Sequence, residues 1–348
     1  MSKGTKLILK TKLTEQYGVD LPFVNAGMAF IATSGLAAAV ARAGGLGTIG
    51  CAAMSPDFLR DEVRRIRSAT NRSFGVDIIP RFSPPEHIDV LAQEKVPLVI
   101  FFWDEVPDEW TSKLRAAGTK IWMQIGSVSE AKRAIAQGVD GLVVQGSAAG
   151  GHNRSSAELI SLLPAVRDLD DDMLLIAAGG IADGRSSAAA LALGADGVWV
   201  GTRLLASVES AAHSEYKRRV LAAGVDDTVR HNVFGPEFPD ATVRGLRNRV
   251  VKEWEGRDYP APYKDLAPET LPIIGEADIY GQKVPMTRFC GFPPTEKASG
   301  DFDEMSLLAG ESVGQTNELL GVEEIVTTMM SDAAAIIRKR LGAMVAGS

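Results

Sequence analysis

The chain alternates short apolar runs with longer stretches in which apolar residues recur every three or four positions. The short runs, bounded by Gly or Pro, read as buried strands: Pro22–Met28, Leu46–Cys51, Phe74–Pro80, Pro97–Trp103, Lys120–Ile125, Leu142–Gly146, Leu174–Gly180 and Val198–Thr202. Helical patterns separate them, among them Ser34–Ala43, Ser129–Gln137, Ser156–Asp168 and Arg185–Leu193. Ser55-Pro56-Asp57 opens another helix with a cap, a first-turn proline and an early acid. Strand starts recur every roughly 20 to 35 residues, the length of a strand plus its crossover helix. The segment from Ala136 to Gly146 echoes that from Ala192 to Gly201: a helix ends on Gly, Asp-Gly turns the chain, and an apolar strand ends on Gly. Such units build a closed parallel barrel or an open doubly wound sheet. Eight units and the lack of an early dinucleotide fingerprint select an α/β fold of the (β/α)8 TIM-barrel type. Gly44-Gly45-Leu46-Gly47 does not restore the open sheet, because it follows a helix and precedes a strand.

The pattern breaks after Asp226. Nine of the 17 prolines fall between Pro236 and Pro294, beside Trp254, Tyr259, Tyr263, Tyr280, Phe289 and Phe292. This density of proline argues against regular helix or central strand, and the aromatics argue against a solvated tether. The chain thus divides into a barrel over 1–226, an irregular Pro/aromatic-rich excursion over 227–300 that covers the barrel mouth, and a closing segment over 301–348. In the last of these, Val322–Leu341 reads as an amphipathic helix packing back on the barrel.

Composition narrows the function classes. Of 348 residues, 45% are hydrophobic and 23% charged, enough for a large core. The net charge of −7 and the absence of a basic stripe exclude a nucleic-acid partner. Two cysteines, Cys51 and Cys290, have no metal-ligand spacing and fit a reducing compartment. Met1–Lys6 leads into a short strand and lacks the apolar core of a signal peptide, and no apolar run reaches membrane length. A cytoplasmic protein without a membrane partner is expected; a homo-oligomer is left open.

Barrels of this kind react where their strands end. The strand-end residues are Ala26, Gly27, Met28, Asp77, Gln124, Gln145 to His152, Gly179, Gly180, Gly201 and Thr202. The stretch from Gly141 to Asn153 stands out: a buried strand runs into a Gly/Ala loop, Gly150 and Gly151 present bare backbone, and a single titratable ring, His152, follows. Gly179-Gly180 and Gly201-Thr202 end the last two strands, where this fold commonly binds phosphate. The plainer alternative is that these glycines are turns and that Asp183 merely caps the next helix. One phosphate site beside a flat small-residue wall and Met28 fits FMN, with one terminal phosphate and one large planar ring.

On these motifs the chain resembles the flavin-dependent nitronate monooxygenase family, formerly called 2-nitropropane dioxygenases. The likeness runs from Pro22–Met28 through Gln145–His152, Ala178–Ile181 and Gly201-Thr202 to Arg244–Asn248 and Ala309–Gly314. It implies an FMN-binding barrel in which His152 is catalytic or orients substrate and Gly180, Gly201 and Thr202 hold the phosphate. The other strand-end residues, Ala26, Gly27, Met28, Asp77, Gln124, Gln145, Gly150, Gly151 and Gly179, would line the cofactor. Three positions depart from the family's pattern: Ala148 replaces a Glu, Asp77 an Asn, and Gln124 a Lys. The resemblance implies oxidation of alkyl nitronates with O2. Two alternatives are an NAD(P)H-dependent flavin reductase acting on a quinone or enoyl thioester, and a non-enzymatic phosphate-ligand sensor or scaffold.

Overall fold

The computed structural model describes residues 9–103, 105–235, 242–256 and 270–345. Tyr259, Tyr263 and the start of the strand expected after Met1–Lys6 lie outside them. The eight barrel strands are β1 (Phe23–Asn25), β2 (Gly47–Gly50), β3 (Phe74–Ile78), β4 (Leu98–Phe102), β5 (Lys120–Ile125), β6 (Gly141–Gln145), β8 (Leu175–Ala178) and β9 (Gly197–Val200). Of the strands up to β9, β7 (Gly151–His152) lies outside the ring. All eight run parallel in the order β1-β9-β8-β6-β5-β4-β3-β2, and a parallel bridge from Val24 to Leu46 closes the circle. Before the first strand, α1 (Lys12–Tyr17) plugs the barrel's lower end with Leu13, and Tyr17 Oη accepts a 2.6 Å hydrogen bond from Trp122 Nε1.

Strand alternation divides the side chains between two cores. Val76, Ile78, Val99, Phe101, Ile121, Met123, Leu142 and Val144 face the surrounding helices. Ile100, Trp122, Val143, Ile176 and Trp199 fill the interior. Glycine is needed where the interior is tightest: a Cβ on Gly141 would come within 2.8 Å of the Trp122 ring. The same period carries Asp77, Phe102, Gln124 and Gln145 to the upper inner face.

The helical ring comprises α2 (Ser34–Arg42), α3 (Pro56–Ala69), α4 (Pro85–Gln93), α5 (Asp108–Ala116), α6 (Val128–Ala136), α7 (Leu159–Arg167) and α8 (Gly184–Ala192). Its last member comes from the far end of the chain: α12 (Val322–Ala335) packs against both α8 and α2. Wider turns over Ile336–Leu341 continue it, where a single regular helix was expected. No helix among the described residues is long and apolar enough to cross a membrane.

Between β9 and α12 the chain forms α9 (Thr202–Leu205), α10 (Ser214–Ala222), β10 (Thr228–His231), β11 (Val243–Leu246), α11 (Arg249–Trp254), β12 (Ile273–Ile279), β13 (Gln282–Thr287) and β14 (Ser299–Gly300). The excursion is thus more regular than its prolines suggest. Pro285 is tolerated because β13 pairs with β12 alone, leaving an open edge. Sequence boundaries also ran long. Ala26, Gly27 and Met28 lie beyond β1, Gly179 and Gly180 turn away from β8, and Thr202 starts α9 instead of ending β9.

Candidate active site

A cavity of about 420 Å³ opens at the C-terminal ends of the strands. Of the strand-end residues singled out from the sequence it brings together Ala26, Gly27, Met28, Asp77, Gln124, Gln145, Gly150, Gly151, His152, Gly179, Gly180, Gly201 and Thr202, while Gly146, Ser147 and Ala148 lie behind its wall. Asp77, Gln124 and Gln145 form its floor as the last inward residues of β3, β5 and β6, and the ring of Phe102 on β4 lies between them. Gly179 and Gly180 have φ of +103° and +72°, a backbone shape that glycine alone adopts without strain. Asp183 has the plainer role: it caps α8, with its carboxylate accepting from Ser186 N at 2.9 Å.

His152, expected at the end of a Gly/Ala loop, lies on β7, paired with Val243 of β11. The preceding loop is wound around Asn153. Its Nδ2 donates to the carbonyls of Gly146, Ser147 and Ala149 at 3.1, 3.0 and 3.2 Å, and its Oδ1 accepts from Ser155 N at 2.9 Å. Two arginines of the β10–β11 hairpin fasten the same loop. Arg230 donates to Ser155 O and Asn153 O at 2.6 and 3.0 Å; Arg244 donates to Ser147 O at 3.1 Å and pairs with Glu311 at 3.0 Å. Gly150 lies directly on the backbone of Ala309 and Gly310, and Gly310 N donates to Thr202 Oγ1 at 3.0 Å. The stretches Arg244–Asn248 and Ala309–Gly314 are therefore the supports of the Gly-rich loop and of Thr202.

Burial shifts the cavity's titratable groups toward their neutral forms. Burial, and then the nearby Arg81 charge, push the His152 ring down to about 4, so it is uncharged at pH 7. Its Nε2 is buried, and the residue is half-buried at the cavity it lines. Burial holds Asp77 well above the ordinary carboxylate range and the Cys51 thiol up at about 12. No arginine or lysine lines the cavity among the described residues.

Sequence reading missed part of the wall. Phe30, Phe82, Phe102, Tyr216 and Phe292 all line the cavity. Phe102 was available from alternation along its strand. Tyr216 carries no local signal, since it reaches the barrel from α10, whereas Phe292 belongs to the aromatic excursion expected over the barrel mouth. Asn153 stood beside His152 without an assigned role.

Comparison with known proteins agrees with this geometry. The nitronate monooxygenase family model matches residues 10–86 and 81–332. A relative from Rhodococcus jostii, a (3aS,4S,5R,7aS)-5-hydroxy-7a-methyl-1-oxo-octahydro-1H-indene-4-carboxyl-CoA dehydrogenase, is 40% identical, with 93% of this chain and 96% of that protein covered. A probable nitronate monooxygenase from Staphylococcus aureus is 32% identical over 72% of this chain and 83% of its own. Among solved structures, FabK from Thermotoga maritima superposes with a TM-score of 0.79 at 33% identity, covering 96% of this chain and 99% of its own. Nitroalkane oxidase from Streptomyces ansochromogenes gives 0.74 at 27%, covering 94% and 99%. With its barrel, its strand-end cavity and a family match over most of its length, the chain is a flavin-dependent oxidoreductase that belongs to the nitronate monooxygenase family.

Proposed function

We propose that this enzyme binds FMN and dehydrogenates a bulky, uncharged alicyclic acyl group carried as a coenzyme A thioester. The observation that carries the substrate class is that no arginine or lysine lines the cavity among the described residues. A small anion such as a nitronate would lose its hydration there and meet no arginine or lysine among the described lining residues, and desolvating an unpaired charge is costly. A neutral ring system against Phe30, Phe82, Phe102 and Phe292 incurs no such cost. The Rhodococcus relative, which acts on a bicyclic carboxyl-CoA, supports the same class.

The residues present fit a flavin. Gln145 Oε1 is buried without a hydrogen-bond partner, an acceptor awaiting an N–H such as the flavin ring carries. Gly179, Gly180 and Gly201 leave bare backbone for a phosphate, and Thr202 begins the helix that follows. A bound flavin would supply the hydride acceptor. Neutral His152 would take the accompanying proton from substrate or hold a substrate oxygen. Gln124 and Gln145 orient polar atoms at the cavity floor, while the aromatic wall excludes water. The charged part of the coenzyme stays outside the apolar cavity.

Releasing and chromatographing the flavin tests the cofactor, and recovery of FAD or no flavin defeats that assignment. Anaerobic mixing then tests the substrate. An alicyclic acyl-CoA should bleach the flavin spectrum, whereas bleaching by an alkyl nitronate alone would select nitronate oxidation. That second reading, with O2 as acceptor, is favoured by the family match and the nitroalkane oxidase likeness. Rapid bleaching by NADH or NADPH would instead identify a reductase working in the opposite direction.

A further inference from the structure

Asp77 is the one carboxylate on the cavity wall among the described residues. It ends β3 on the inner face, is 7% exposed, and presses against the loop after β1 so closely that a Cβ on Gly27 would come within 2.6 Å of its Oδ2. Among the described residues that line the cavity, none carries a positive charge at neutral pH. The loop after β1 contributes Gly27 and Met28, and the end of β2 contributes Cys51, a neutral thiol. From β4 comes Phe102, from β5 and β6 the amides Gln124 and Gln145, and across the cavity stands His152, itself uncharged. The nearest turn after β3 carries Arg81, an exposed side chain that does not contribute to the cavity wall.

We infer that Asp77 works as a neutral carboxylic acid, donating a hydrogen bond from the cavity floor to an acceptor atom of the bound flavin ring, so that flavin retention depends on its proton. The inference rests on the flavin reading above. A carboxylate is acceptor-only, whereas a protonated carboxyl also donates. With Gln145 Oε1 awaiting a donor, the floor then offers both halves of the pattern that a heterocycle with carbonyl and N–H edges requires. Burial alone shifts Asp77 upward, which is the behaviour of a group desolvated without a partner. Ionising it would place an uncompensated negative charge against the ligand's acceptor edge.

The sign follows from linkage. If flavin binds the protonated form, its affinity is full at low pH and falls as pH rises through the ionisation of Asp77. Apoprotein titrated with FMN by fluorescence quenching, from mildly acidic to mildly alkaline pH, tests this directly. In the wild type the FMN dissociation constant should rise about tenfold per pH unit above that ionisation. In Asp77→Asn, which keeps a neutral donor, that added rise should vanish. The difference between the profiles is the readout, because titration of the FMN phosphate is common to both. Wild type and Asp77→Asn binding FMN with the same pH profile would overturn the inference and leave the flavin reading intact. No FMN binding by the wild type at any pH would overturn both. If the Asn variant does not fold, infrared difference spectra of the wild type decide. A protonated-carboxyl band perturbed by FMN supports the inference, and its absence at neutral pH refutes it.

Discussion

His152 shows how much a residue's surroundings change its chemistry. An imidazole in water titrates near 6.5, about pH-neutral at the working range. Here burial takes it to about 4, so the neutral ring persists through the region where histidine normally charges. For the flavin-loaded enzyme, kcat/KM should therefore stay flat through pH 6.5 and fall only toward about pH 4. An acid limb centred at the ordinary histidine value would show that the ring is charged and exposed in the working enzyme. His152→Ala should lower turnover by about 10²- to 10⁴-fold, the range for a general acid–base group, with flavin content retained. Lost flavin with unchanged activity per flavin would make the residue structural. Gly150 tests the loop's docking at the same scale. A Cβ there would fall within the backbone of Ala309 and Gly310, which cannot rotate aside, so Gly150→Ala should lower Tm and reduce flavin content together.

At the scale of elements, the active site depends on a junction between the barrel and its excursion. β7 has only two residues, too short to hold itself, and its partner β11 lies far along the chain. Arg230 is the strongest fastening because its guanidinium reaches Ser155 O, Asn153 O and Thr242 Oγ1 together. Arg230→Ala removes the donor to Ser155 O, a loss worth about 1–3 kcal/mol, while Asn153 O keeps Thr242 Oγ1 at 2.6 Å. Amide exchange at Gly151 to Asn153 should accelerate and turnover should drop, while exchange in β3 to β5 stays slow. Uniform acceleration across the barrel would show that the hairpin supports the whole fold and not the loop. The loop's own order was partly readable, since glycines and an Asn mark a turn. That the turn is wound on Asn153 Nδ2 was not, because a polar residue next to glycines fits many loops.

Across the whole molecule, buried neutral histidines make stability depend on acid. His152 is held at about 4 and His231 at about 3, both chiefly by burial, and His231 Nδ1 accepts from Val233 N at 3.1 Å. Both titrate lower in the fold than in the unfolded chain, so the unfolded state binds more protons at acid pH. Stability is full above about 6.5 and falls as pH drops toward the folded values. Thermal melts should show Tm falling over that window, and His231→Gln should make the slope shallower. A slope unchanged in the variant would assign the acid loss to other groups.

What the sequence determined by itself was the repeating strand–helix beat and, through strand alternation, which residues face inward at the strand ends. That local rule carries Asp77, Gln124 and Gln145 to one floor, and glycine's permissive backbone marks Gly179, Gly180 and Gly201. Both follow from neighbours in the chain, so they can be read without partners. Tertiary structure alone decided that α12 completes the helical ring after a long insertion, and that Arg230, Arg244 and the Ala309–Gly310 backbone support the loop before His152. It also decided that Pro285 sits on the edge strand of a small sheet, and that burial lowers the His152 pKa and raises that of Asp77. Those outcomes depend on contacts between residues tens to hundreds of positions apart and on the desolvation that packing imposes, and no local pattern encodes either.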